Sequence, residues 1–187
     1  MSTATDDAPE LGLDGATRFA LLELAREAIA AHLTGRRASA GPALTGGGAG
    51  AFVTLRRAGE LRGCVGQLES DEPLGRIVAA MAVAAASRDS RFEPVAASEL
   101  ASLRVEISVL SPLAPIEPHQ VEVGRHGLAV RLGERRGILL PQVAVEHGWD
   151  RETFLDQTCL KAGLPKAAWR QPGIELSGFT ATVFGEP

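Results

Sequence analysis

The 187-residue chain contains no tyrosine, and aromatic residues make up only 4% of it. Proteins that bind single-stranded nucleic acid stack the bases on aromatic side chains, and general nucleic-acid binders also carry a basic face. The formal net charge here is −4, and the arginine pairs are scattered along the chain. Nucleic-acid binding is therefore the least favoured class of function.

Cysteines and long apolar runs are also scarce. Cys64 and Cys159 are too few for a disulfide framework, and neither has metal-ligand spacing around it, so we expect a cytoplasmic protein without a metal site. Residues 1–9 lack the basic start and apolar run of a signal peptide. The longest apolar stretch, residues 77–86, is too short for a bilayer, so no membrane span is expected.

The most informative stretch is Glu-Leu-Arg-Gly-Cys-Val-Gly at residues 60–66, which places a thiol between two glycines. Glycine is used where another group approaches the backbone closely, and Arg62 would favour the thiolate form of Cys64. Residues 51–57 have the pattern of a strand and Ala58-Gly59 that of a turn, so Cys64 is expected at the far end of a β-hairpin. An unpaired cysteine is more often a small buried hydrophobe, so a structural role stays open.

The rest of the pattern predicts an α+β fold, a mainly antiparallel sheet with flanking helices. Residues 1–12 are expected to be a disordered tail, and residues 36–50 a glycine-rich linker. Helices are expected at 15–33, 73–87, 141–147 and 151–162. Strands are expected at 103–110, 121–123, 127–132, 138–140 and 176–183.

Several segments together resemble one protein family. Residues 61–66 are similar to the Leu-Arg-Gly-Cys-Ile-Gly hexapeptide of the AmmeMemoRadiSam system protein A family, with Val65 in place of isoleucine. The family is named after a human chromosomal region linked to Alport syndrome, midface hypoplasia and elliptocytosis. Further segments resemble its Asp-x-Arg-Phe-x-Pro loop, its central strand and its second signature: residues 89–94, 106–111, 137–144, 148–150, 159–164 and Trp169.

The resemblance implies one domain over residues 13–187, made of two unequal lobes with the hexapeptide facing a groove between them. It also implies a genomic association with a Memo-like protein, related to extradiol dioxygenases, and with a radical S-adenosylmethionine enzyme. A small-molecule ligand in the groove is expected. The resemblance supplies neither a reaction nor a cofactor, so it predicts the fold better than the activity.

The first functional hypothesis is an enzyme, or a component of an enzyme system, that acts on a small molecule beside the hexapeptide. Cys64 would be the nucleophile or covalent anchor, and Arg62 would activate it or hold an anionic substrate. The candidate bases are Glu106, on the polar side of a strand, and His147, whose side chain titrates in a useful range.

The candidate substrate-binding groups are backbone amides and two cations. The amides from Gly63 to Gly66 would face an oxyanion, and Arg91 and Lys161 would bind phosphate or carboxylate. The second hypothesis is a non-catalytic module that grips a partner protein or presents a substrate to the radical enzyme. In that case Cys64 is a buried structural residue, and its reactivity distinguishes the two hypotheses.

Overall fold

A computed structural model describes residues 12–36 and 50–187 of the chain. They form two compact units, described separately below. Of the described residues, 12–36, 50–110 and Thr182–Pro187 form the first unit, and Ser111–Ala181 form the second. The sequence predicts a disordered tail at residues 1–12 and a glycine-rich linker at residues 36–50. Apart from a few residues at their edges, these segments lie outside the described residues.

The described residues form four helices and eight strands. The helices are α1 (Gly15–Thr34), α2 (Leu74–Ser87), α3 (Pro141–Glu146) and α4 (Arg151–Lys161). The strands are β1 (Gly50–Arg57), β2 (Glu60–Gln67), β3 (Leu103–Leu110), β4 (Ala114–Pro115), β5 (Gly127–Leu132), β6 (Arg135–Leu139), β7 (Glu175–Phe179) and β8 (Ala181–Gly185). Short 3₁₀ helices lie at Ala97–Ser102, Pro118–Gln120 and Ala168–Arg170.

The first unit is a four-stranded sheet in the order β2-β1-β3-β8, with α1 and α2 packed on one face. β1 and β2 form the predicted hairpin, whose turn residues Ala58 and Gly59 both have positive φ. In β3, Val105, Ile107 and Val109 are buried against the helices, as their alternation predicts. Burying this apolar face is what holds the helices to the sheet.

Helix α1 begins and ends at residues typical of helix ends. The Asp14 carboxylate accepts a hydrogen bond from the Thr17 amide at 2.8 Å, and Gly35 adopts φ +67° just after the last turn. Leu21, Ala25 and Ile29 carry the buried face. Helical spacing to Leu22, Ala25 and Ile29 predicts Phe19 on the same face, but Phe19 is 66% exposed, because the buried stripe lies on the other side of the first two turns.

The chain ends by returning to the first unit. Strand β8 joins the sheet beside β3, and the Glu186 carboxylate accepts hydrogen bonds from the Val105 amide at 2.9 Å and from the Arg26 guanidinium. Arg26 also donates to the Leu103 carbonyl at 3.0 Å. One ion pair thus attaches both α1 and the last residues to β3.

The second unit has its own four-stranded sheet, in the order β4-β7-β5-β6, and its own apolar core. Phe154 and Leu155 of α4 are fully buried in this core, as their spacing predicts. The Asp150 carboxylate caps α4 by accepting a hydrogen bond from the Thr153 amide at 2.8 Å. A Cβ added at Gly137 would lie 2.3 Å from the Ala162 amide nitrogen, so a glycine is needed where β6 meets the end of α4.

Two predicted strands differ in the structure. The expected strand 176–183 is divided at Thr180 between the two sheets, because the Thr180 amide donates to the Ser111 hydroxyl at 3.0 Å instead of to a sheet ladder. Residues 121–123 are not a strand. The Glu122 backbone is occupied by a local turn, in which its amide donates to His126 Nδ1 at 3.0 Å.

The α+β class with antiparallel pairing is confirmed, with two sheets where the sequence indicated one. Over residues 12–36 and 50–187, every helix is too short or too polar to cross a membrane.

Candidate functional site

The first unit's sheet has a second face, opposite α1 and α2, which we call the polar face. It carries Phe52, Thr54 and Arg56 of β1, Cys64 and Gly66 of β2, and Arg104, Glu106 and Ser108 of β3. The strand register aligns these residues in rows, with Thr54 directly opposite both Cys64 and Glu106. The sequence-predicted thiol and carboxylate therefore lie on one face of one sheet, with Thr54 between them.

The Cys64 thiol is partly exposed and has a hydroxyl partner. Thr54 Oγ1 donates a hydrogen bond to Cys64 Sγ at 3.3 Å. Strands in a sheet lie about 4.8 Å apart, so the backbones of Cys64 and Glu106, two strands apart, are separated by about 10 Å. The thiol and the carboxylate therefore lie on opposite sides of Thr54 on the same face.

Glu106 is accessible on this face, as the sequence predicted for a polar strand position. Its side chain is 37% exposed, and its Oε2 lies 4.0 Å from Arg56 Nε. A Cβ added at Gly185 of β8 would lie 3.5 Å from the Glu106 Cβ. Gly185 has no side chain and therefore does not cover Glu106 from the β8 side.

The backbone of Cys64 is held by an Asp89–Arg91 pair. The Cys64 amide donates to Asp89 Oδ2 at 2.8 Å, and Arg91 Nη2 donates to the Cys64 carbonyl oxygen at 3.3 Å. Arg91 also donates to both Asp89 oxygens, which lowers the pKa of the Asp89 carboxyl well below its usual range. The pair occupies the outer edge of β2 as a neighbouring strand would, and it fixes the position of the thiol.

This contact changes two expectations about binding groups. Arg91 is committed to Asp89, although more than half of its side chain is exposed. Of the amides expected to face an oxyanion, that of Cys64 is already engaged by a carboxylate. Both residues position Cys64 in the observed arrangement.

Arg62 lies in a β-bulge and contacts groups other than the thiol. Leu55 is opposite Gly63 and Arg56 is opposite Leu61, so Arg62 has no opposite residue. Its guanidinium binds Glu99 through two hydrogen bonds of 3.0 Å and donates to the Glu93 carbonyl at 2.9 Å. The Arg62 hydrogen bonds lower the pKa of Glu99 to about 2. Arg62 thus attaches β2 to the segment after the Asp89–Arg91 pair.

Both glycines of the hexapeptide lie where another group approaches the backbone too closely for a side chain. A Cβ at Gly63 would lie 2.2 Å from the Ala85 carbonyl oxygen of α2, and one at Gly66 would lie 2.2 Å from the Phe52 ring. Neither glycine has a positive φ. The expected position at the far end of the hairpin is wrong: Cys64 lies within β2, because the strand continues through Gln67.

His147 and Lys161 belong to the second unit, whereas Cys64, Thr54 and Glu106 belong to the first. His147 is the residue after α3, and its ring stacks on Trp149 with centroids 4.7 Å apart. Lys161 is the exposed last residue of α4. Their proposed roles as a base and an anion ligand stay predictions.

The second unit has concave surfaces of its own around Trp169. A cavity of about 340 Å³ lies between Trp169, Leu155 and Asp150, and another of about 550 Å³ lies between Trp169, Ile116 and Leu176. The Trp169 indole donates to Asp156 Oδ1 at 2.8 Å, which fixes the ring. Neither His147 nor Lys161 lines either cavity.

Sequence reasoning missed Thr54 and Asp89 as parts of the site. Thr54 could be placed only once the register of β1 against β2 was known, although its alternation with Val53 and Leu55 gave its face. Asp89 lies in a segment that resembles the family's loop, but nothing in the sequence indicates which backbone it contacts. Within the described ranges, no group of three or more His, Cys, Asp or Glu side chains is arranged to hold a metal ion.

A family model described as AMMECR1 matches residues 22–184 of the chain. The chain belongs to the AMMECR1 family. Aeropyrum pernix has a relative that is 46% identical over 93% of this chain and 80% of its own length. A Methanothermobacter thermautotrophicus relative is 43% identical, covering 89% of this chain and 92% of its own.

A solved member of the fold is the uncharacterized protein PH0010 from Pyrococcus horikoshii. Its crystal structure is similar to this AMMECR1-family chain with a TM-score of 0.78 and 41% identity, over 89% of each chain. The predicted family and fold are therefore confirmed. The names of these relatives state no activity, so the function has to be argued from the site.

Proposed function

We propose that this AMMECR1-family protein is an enzyme, or a component of an enzyme system, that binds a small molecule on the polar face and reacts with it through Cys64. The observation that carries this proposal is the row formed by Cys64, Thr54 and Glu106. The row combines a thiol, a hydroxyl donor 3.3 Å from it and a carboxylate two strands away, which are groups that can act on one small ligand.

The step we propose is addition of Cys64 to a carbonyl carbon of the ligand. The sulfur–carbon bond forms, the carbon–oxygen double bond becomes a single bond, and the thiol proton ends on that oxygen. Glu106, on the opposite side of Thr54, is the group that exchanges this proton. No oxidant or metal is needed for the step, and reversal of the addition releases the ligand.

Rigidity of the thiol supports the proposal. The Cys64 backbone is fixed at both its amide and its carbonyl by Asp89 and Arg91, and β2 is attached to the following segment by Arg62. A reacting group must be held in a narrow range of positions, which networks of surrounding hydrogen bonds provide. In this proposal Arg62, Asp89 and Arg91 are positioning residues.

One observation favours the alternative of a non-catalytic module. Arg62, expected to activate the thiol, is bound to Glu99 instead. In the alternative, the hexapeptide is a structural element that holds the first unit together, and the protein presents a substrate or grips a partner. For either function we propose a Memo-like protein and a radical S-adenosylmethionine enzyme as partners, on the family resemblance, and co-purification tests them.

Thiol alkylation in the folded protein tests the proposed function. We expect iodoacetamide at neutral pH to modify Cys64 while the fully buried Cys159 stays unmodified, so Cys159 reports any unfolding. Thr54→Val keeps the side-chain shape but removes the hydroxyl donor. It should slow the alkylation of Cys64 by several-fold without changing the free energy of unfolding by more than about 1.5 kcal/mol. Mass spectrometry of tryptic peptides gives the rate for each cysteine.

The result that would overturn the proposal is equally direct. If Cys64 is modified only at denaturant concentrations at which Cys159 also reacts, the thiol is structural and the module alternative holds. Cys64→Ser identifies the modified site and provides the background rate.

A further inference from the structure

Two arginines lie directly opposite each other on the polar face, one step along the strands from Cys64. Arg56 of β1 pairs with Arg104 of β3 in the strand register, and both are exposed. Like charges directly opposite on one face of a sheet repel and destabilise it. Arg56 is 4.0 Å from Glu106, the outer limit of an ion pair, and Arg104 Nη1 donates to the Leu103 carbonyl at 3.3 Å.

We propose that Arg56 and Arg104 bind an anionic group, a carboxylate or a phosphate, of the small molecule that reacts at Cys64. This inference rests on the proposed function and specifies its substrate class. Arginine guanidinium groups bind both anions through paired hydrogen bonds, and an anion between the two side chains would relieve their repulsion.

The register gives the length of the ligand. Residues on one face of a strand are two positions apart, so the arginine row and the Cys64 row are separated by about 7 Å at the backbone. The substrate class is therefore a small carbonyl compound with an acidic group a few bonds from the reactive carbon. The other arginines near the thiol are committed elsewhere, since Arg62 binds Glu99 and Arg91 binds Asp89.

The experiment compares two reagents with the same reactive ring, neutral N-ethylmaleimide and maleimidopropionate, which adds one carboxylate. In both, the Cys64 sulfur adds to a ring carbon and a proton is taken up by the neighbouring carbon. For the unaltered protein we expect a higher rate with the anionic reagent. In the Arg56→Gln/Arg104→Gln double variant, the ratio of anionic to neutral rates should fall about tenfold, from the loss of hydrogen bonds to a charged group.

Arg76→Gln is the matched control, because Arg76 is an exposed arginine of α2 in the same unit. It removes one positive charge away from the polar face and should leave the rate ratio unchanged. A second measurement needs no variant. At constant ionic strength, inorganic phosphate should slow the modification of Cys64 by maleimidopropionate and leave its modification by N-ethylmaleimide unchanged.

The outcomes separate this inference from the proposed function. One outcome is that N-ethylmaleimide modifies Cys64 while the ratio of anionic to neutral rates is the same in the double variant and in the presence of phosphate. In that case the arginines bind no anion, and only this inference fails. If neither reagent modifies Cys64 in the folded protein, both proposals fail. If the double variant does not fold, the phosphate measurement decides, and equal rates with and without phosphate overturn the inference.

Discussion

Arg62 is the residue whose role changes most between sequence and structure. In the chain it stands two positions before the thiol, whereas in the fold its guanidinium is bound to Glu99 and to two backbone carbonyls. A bulge causes this change, because the unopposed residue at position 62 is directed to the segment beyond the strand's edge. The position of Arg62 two residues before Cys64 in the sequence therefore did not predict its contacts in the fold.

We predict that Arg62→Ala strongly destabilises the protein. Glu99 is only 13% exposed, so the substitution leaves a carboxylate largely buried without its paired donor. The free energy of unfolding should fall by about 3 kcal/mol. Urea denaturation followed by circular dichroism measures the loss, and Arg62→Lys should recover only part of it, since lysine cannot form the paired hydrogen bonds.

Arg57→Ala is the control for this prediction. Arg57 also contacts Glu99, at 3.1 Å, but its side chain is 53% exposed. An exposed ion pair contributes less than about 1 kcal/mol, so this variant should be close to the unaltered protein. Equal losses for the two variants would contradict the assignment of Arg62 as the main partner of Glu99.

At the scale of elements, strand β2 connects the site to the helical layer. The Cys64 side chain lies on the polar face of the sheet. Gly63 lies on the opposite face, against α2, where the Ala85 carbonyl oxygen leaves no space for a side chain. On its outer edge, the Asp89–Arg91 pair takes the place of a further strand. The position of the thiol is therefore set by contacts on three sides of one strand.

We predict that Gly63→Ala disrupts this arrangement. The added Cβ would lie 2.2 Å from a backbone oxygen, which cannot rotate away as a side chain can. β2 and α2 must separate, at a cost of about 2 to 3 kcal/mol in the free energy of unfolding. Thermal unfolding measures the change, and native-state alkylation should show a changed rate for Cys64.

Gly15→Ala provides the comparison, because a Cβ at Gly15 meets no atom within 4 Å. Alanine is the better helix former, so the melting temperature should stay the same or rise slightly. If Gly63→Ala proves as harmless as Gly15→Ala, the close contact between β2 and α2 is not needed for stability.

At the scale of the whole molecule, three carboxylates hold distant parts of the first unit together. Asp89 binds the β2 edge, Glu99 binds Arg62, and Glu186 binds Arg26 and β3. The pKa of each of the three carboxyls is lowered in the folded protein. Hydrogen bonds from Arg91 lower that of Asp89, and hydrogen bonds from Arg62 lower that of Glu99. Burial acts to raise the pKa of Glu186, but the hydrogen bonds that it accepts, chiefly from Arg26, outweigh burial and lower it.

We predict a loss of stability in acid that follows these carboxylates. A carboxylate whose pKa is lower in the folded state contributes stability that is fully present above its unfolded pKa, near 4, and is lost as the pH falls towards the folded value. The free energy of unfolding should therefore decrease from about pH 5 to about pH 2. Urea denaturation at a series of pH values gives the curve.

The control for the acid prediction is Glu99→Gln, which cannot lose a proton. The free energy of unfolding of this variant should be lower at neutral pH and should decrease less steeply as the pH falls, because the contribution of the Glu99 carboxylate is absent at every pH. Parallel curves for the variant and the unaltered protein would show that Glu99 does not contribute to the acid dependence.

The sequence by itself determined the local structure and the family. Helix ends at Asp14, Gly35 and Asp150, the hairpin turn and the alternation of β3 depend on neighbouring residues in the chain, so composition and spacing were sufficient. The tertiary structure decided which groups meet. Thr54 and Glu106 join Cys64 through strand register, Arg62 turns to Glu99 at a bulge, and strand 176–183 divides at Thr180 because of a hydroxyl far away in sequence. Contacts between distant segments depend on register and packing, which no local pattern encodes.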